Sequence, residues 1–89
     1  MRTTHRVTGD SVEAFMDSIA AALAFPDYFG RNLDALYDCL ADLTGEHVVV
    51  WVSPSALRKA DPDGYTAVAS VLADAVADGT GLSVLFRGD

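Results

Sequence analysis

The chain has 89 residues, enough for one domain with a modest hydrophobic core and too few for two. Half of it is hydrophobic (51%), which argues against disorder, and no apolar run reaches the ~18 residues of a membrane span. Thirteen acidic residues stand against six basic ones, and the net charge of −7 disfavours phosphate backbones and anionic membranes as partners and favours a basic one.

The start of the chain, Met1 to Arg6, has two basic residues with no apolar stretch behind them, so no secretory signal is expected. The single cysteine, Cys39, makes no internal disulfide, and a reducing, cytoplasmic setting is expected. Thr3 to Thr8 is rich in β-branched residues and reads as a first strand. Asp10-Ser11-Val12-Glu13 has the spacing of a reciprocal helix cap. Val12, Phe15, Met16, Ile19 and Leu23 then repeat at helical spacing, which predicts a helix over 11–24, stopped by Pro26.

Residues 25–31 read as a loop in which Gly30 is the candidate for a positive φ. Asn32 suits the cap of a second helix running to about Leu43, and Gly45 follows as a stop. His47 to Val52 is a continuous apolar run, the pattern of a strand buried on both faces. Ser53-Pro54 and Asp61-Pro62 are two successive helix starts. The second opens a helix with Tyr65, Val68, Ala69, Leu72 and Val76 as its buried stripe, closed near Gly79. Leu82 to Phe86 is the last strand. The order β-α-α-β-α-α-β predicts a single α/β domain over 1–89, a three-stranded parallel sheet with right-handed crossovers packed against about four helices.

The second helix divides cleanly. Leu33, Leu36, Cys39, Leu40 and Leu43 form an apolar back, while Asp34, Tyr37, Asp38 and Ala41 form the front. Asp34 and Asp38 are like charges at i, i+4, which weakens a helix by a few tenths of a kcal/mol. Asp34 gains from the helix dipole in the first turn; Asp38 gains nothing comparable. No lysine or arginine lies between them. Acidic helix faces are common solvated surface, but Tyr37 on the same front and Tyr28 just before it give the composition of a binding hot spot.

Three chemistries are open to the pair. Acid–base catalysis needs a cleft that pushes two pKa values apart. Metal binding needs further ligands, and none stands nearby in a recognisable motif, nor is there zinc spacing or a glycine-rich phosphate loop. Recognition of a cationic pocket needs only that arginine or lysine come from the partner, and it alone accounts for the missing counter-charges. A thiol nucleophile built on Cys39 with His5 or His47 is disfavoured, because Cys39 lies on the apolar back of its helix. Neither a cofactor nor a resident metal is expected.

The stretch Phe25-Pro26-Asp27-Tyr28-Phe29-Gly30-Arg31-Asn32-Leu33-Asp34-Ala35-Leu36-Tyr37-Asp38-Cys39-Leu40 resembles the signature segment of the barstar family of intracellular ribonuclease inhibitors. The resemblance implies a non-enzymatic α/β protein that plugs the active site of a secreted microbial guanyl-specific ribonuclease with its second helix and the loop before it. It implies that Asp38 takes the place of the RNA phosphate, that Asp34 pairs with a peripheral arginine, and that Tyr28 packs on the catalytic histidine. Gly30, Asn32, Leu33, Tyr37, Ala41 and, on the fourth helix, Asp74 complete the implied contact surface. The alternative is an immunity or antitoxin-type protein whose basic partner is not a ribonuclease. A metal-dependent enzyme built on Asp34 and Asp38 is the third reading.

Overall fold

In the computed structural model, which describes residues 2–89, three parallel strands lie in the order β1 (Arg2–Val7), β2 (Glu46–Val52), β3 (Leu82–Arg87). Thr3 pairs with His47 and His47 with Leu82; Val7 pairs with Trp51 and Trp51 with Phe86. Register partners share a face. One face therefore presents Val7, Val49, Trp51 and Leu82 to the core, all buried. The other presents Arg2, Thr4, Arg6, Ser83, Leu85 and Arg87, all exposed, around Val48 and Val50. The apolar run of β2 is thus buried on both faces from Val48 to Val50, as its lack of alternation predicts.

Each crossover carries two helices: α1 (Val12–Ala22) and α2 (Leu33–Ala41) between β1 and β2, then α3 (Pro54–Ala60) and α4 (Pro62–Ala77) between β2 and β3. Both crossovers step the same way across the sheet, so right-handed connections place all four helices over one face. Phe15, Met16 and Ile19 of α1, Leu36 and Leu40 of α2, Leu57 of α3, and Val68, Leu72 and Ala75 of α4 meet there. Trp51 is fully buried among them, with Phe15, Tyr65 and Phe86 at ring-centroid distances of 4.7, 5.3 and 5.7 Å. Such aromatic contacts contribute about 0.5–1.5 kcal/mol beyond the area they bury.

The expected element order holds, and the differences are local. Ser11, not Asp10, caps α1, its hydroxyl accepting from the Ala14 amide at 3.0 Å, so Glu13 falls one position short of a reciprocal cap. α1 ends at Ala22, before Pro26 acts: Ala24 takes φ 55° and the Phe25 amide donates back to the Ala20 carbonyl. That is a Schellman turn with alanine in the position that favours glycine. Gly30 does not take a positive φ; its neighbour Arg31 does, at 50°. Ser53 precedes α3 in the left-handed region (φ 53°) with no side-chain cap bond. On α4 the buried stripe runs through Ala75, and Val76 is exposed.

Candidate functional site

Leu36 and Leu40, both fully buried, fix the rotation of α2. Once they face the core, residues 34, 38 and 41 must face out, and Asp34, Asp38 and Ala41 are exposed. Leu33, Tyr37, Cys39 and Leu43 are half-buried along the flanks. Cys39 is thus not sealed in the core; burial pushes its thiol pKa up, with further upward pressure from Asp42 and Asp38. The helix begins at Asn32, whose side-chain oxygen accepts from the Ala35 amide at 2.8 Å, while its amide nitrogen lies 3.4 Å from the Gly30 carbonyl. A Cβ at Gly30 would stand 3.0 Å from that same nitrogen, so glycine there keeps the cap unobstructed.

The loop is held from inside. Phe29 is buried, packs edge-on to Phe25 at 5.1 Å, and its amide donates to the Pro26 carbonyl at 2.9 Å. This turn throws Tyr28 outward, 86% exposed. Between the loop and α2 runs a groove of about 490 Å³. Pro26, Tyr28, Phe29 and Gly30 form one wall, and Asp38, Cys39, Asp42 and Leu43 the other. Asn32, Leu33 and Asp34 line a separate recess of about 470 Å³ with Val12 and Met16 of α1.

Tyr37 leans the other way, toward α4. Its hydroxyl donates to the Asp78 carboxylate, and this bond is the main reason that its pKa is raised. Partial desolvation and the charges of Asp78, Asp74 and Asp38 add to the effect. Tyr37 therefore joins α2 to the end of α4 through Asp78, within the fields of Asp74 and Asp38. Asp42 and Asp78 are the C-caps of α2 and α4, and neither helix has a basic residue in its last turn. An acid at that end is opposed by the helix dipole.

Among the described residues, Asp34, Asp38, Asp42, Asp74 and Asp78 have no ion-pair partner. The nearest cation in sequence, Arg31, is drawn onto α1, its Nε 2.5 Å from Asp17. The arrangement offers carboxylates, phenols and apolar walls, with no imidazole to shuttle protons. No group of three or more His, Cys, Asp and Glu side chains is disposed to hold a metal among the described residues.

The predicted site residues thus fall into three neighbouring sets. Tyr28, Gly30 and Asp38 share the groove; Asn32, Leu33 and Asp34 share the recess; Tyr37 bonds Asp78 and feels the charge of Asp74. Ala41 is exposed at the end of α2 and lines neither recess. Sequence reasoning missed Asp78 and the part that Asp42 and Cys39 take in the groove. The available signal was a pair of aspartates closing two helices where cations belong.

The barstar family, described as "Barstar (barnase inhibitor)", matches residues 5–87. A Bacillus subtilis (strain 168) protein named "Putative ribonuclease inhibitor YrdF" is 55% identical over 31 residues, 35% of this chain and 34% of that protein's length. With the family match running from β1 to the end of β3, the chain belongs to the barstar family.

Proposed function

We propose that the protein inhibits a secreted microbial guanyl-specific ribonuclease by inserting α2 and the loop before it into the nuclease's active site. Barstar-family inhibitors are binding proteins, not enzymes. The observation that carries the reading is the set of carboxylates on α2 and α4 left without counter-ions, beside an outward tyrosine and a groove. A ribonuclease cleft is built to hold a polyanion, so its arginines supply the missing charges. Asp38, at the junction of groove and helix face, stands in for the RNA phosphate; Asp34 meets a peripheral cation; Tyr28 stacks on an imidazole or guanidinium. Inhibition takes place inside the producing cell, before the nuclease is exported.

The test is inhibition of a guanyl-specific ribonuclease by the purified protein and two variants. Asp38→Ala is expected to weaken inhibition by about 2–5 kcal/mol, because truncation strands a buried partner charge. Asp63→Ala, in the first turn of α4 and exposed, is expected to leave inhibition unchanged. Asp17 would be a poor control, since its loss releases Arg31 beside the acidic face. Equal effects of the Asp38 and Asp63 changes would exclude the assignment.

A further inference from the structure

His5 and His47 share the helix-covered face of β1 and β2. Their rings stack at 5.2 Å, and His5 Nε2 stands 3.0 Å from His47 Nδ1. The other nitrogen of His47, Nε2, lies 2.9 Å from the Thr44 carbonyl oxygen. A carbonyl accepts only, so Nε2 carries the hydrogen, and in the neutral ring Nδ1 presents its lone pair to His5. A ring nitrogen anchored on a backbone carbonyl while its opposite nitrogen faces a second imidazole is the outer-shell arrangement of metal-binding histidines. The nearby cation Arg2 and its partner Glu46 belong to the opposite face of the sheet, by alternation from Thr3 and His47.

From this geometry we propose that His5 Nε2 and His47 Nδ1 form a two-imidazole site for a tetragonal divalent ion, copper(II) ahead of nickel(II). With metal–imidazole bonds of about 2.0–2.1 Å, a 3.0 Å separation subtends about 94° at the metal. That matches the ~90° between neighbouring ligands of a tetragonal ion; a tetrahedral zinc ion would require the nitrogens about 3.3 Å apart. In the free protein the hydrogen on His5 Nε2 occupies the space; metal binding takes the other His5 tautomer, in which that hydrogen has passed by way of solvent to Nδ1 and the ring stays neutral. No third protein side chain joins the two among the described residues, so water fills the remaining positions. The ion would join β1 to the start of β2 and, through the Thr44 carbonyl, to the turn after α2.

Titration of the full chain with copper(II), followed by electron paramagnetic resonance, tests the site. The expected result is one bound equivalent whose spectrum shows coupling to two nitrogens, lost in His5→Ala and in His47→Ala, with nickel(II) bound less tightly and zinc(II) least. The bound ion is also expected to raise the melting temperature of the parent protein and of neither variant. His5→Gln keeps the His47–Thr44 bond and decides the matter if His47→Ala fails to fold. An oxygen-only spectrum, a two-nitrogen spectrum that survives loss of either histidine, or zinc bound as tightly as copper would each overturn the proposal.

Discussion

Tyr37 shows how one hydroxyl organises the acidic surface. A phenol that donates to Asp78 and lies near Asp74 and Asp38 resists ionisation, because a phenolate there would face three carboxylates and lose its bond. Its pKa is raised in the folded state, so it binds its proton more tightly folded than unfolded. That contribution to stability is fully present below the ordinary tyrosine pKa of about 10 and disappears as pH rises through the folded value. Absorbance titration near 295 nm is expected to show one tyrosine ionising late. Asp78→Asn should bring its ionisation to lower pH, and Tyr37→Phe should remove it. Asp38 itself was legible from the sequence because it sits mid-helix beside another acid on the face opposite two leucines. Asp78 was not, since 41 residues separate it from Tyr37 and only the packing of α2 against α4 joins them.

Among the elements, α2 is short and electrostatically opposed at its C-terminal end, where Asp42 is the cap. What keeps it helical is the Asn32 cap at one end and the burial of Leu36 and Leu40 beneath. Its boundaries were readable to within two residues because cap and apolar period agree. The loop in front was less readable. Sequence rules assign left-handed backbone to glycine, yet Ala24 and Arg31 adopt it while Gly30 does not. Single-residue preference is outweighed by context: the Schellman turn that closes α1 runs through Ala24, the side chain of Arg31 is paired with Asp17 on α1, and Phe25 and Phe29 anchor the segment between. Alanine in the left-handed region is disfavoured by about 1–2 kcal/mol. Ala24→Gly is therefore expected to raise stability by about 1 kcal/mol in urea unfolding, its extra chain entropy offsetting part of the gain. A loss of stability would mean that the Ala24 methyl group contributes packing that outweighs its backbone strain.

At the scale of the whole molecule, charge is separated by architecture. The α2–α4 side gathers unpaired carboxylates, while the helix-free face of the sheet carries Arg2, Arg6 and Arg87, three of the six basic residues. Such a molecule turns its acidic side toward a basic partner during approach. Association with a ribonuclease is expected to slow steeply as salt is raised from about 10 mM to 0.5 M, with dissociation little changed, in stopped-flow measurements. A salt-independent association rate would exclude steering. The order of strands and helices was legible because each strand's burial leaves a pattern that a single sequence can show; that one side of the sheet is left without helices was not, since the unbroken apolar run of β2 reads the same whether helices cover one face or both. The core itself has a practical consequence. Trp51 is the only tryptophan, is wholly enclosed by apolar and aromatic neighbours, and its indole nitrogen has no hydrogen-bond partner among the described residues. Its fluorescence should be blue-shifted, should move to the red only on global unfolding, and should stay silent when the acidic face engages a partner. The protein thus carries a built-in optical gauge of its own folding, and any change in tryptophan emission on mixing with a nuclease would belong to the nuclease.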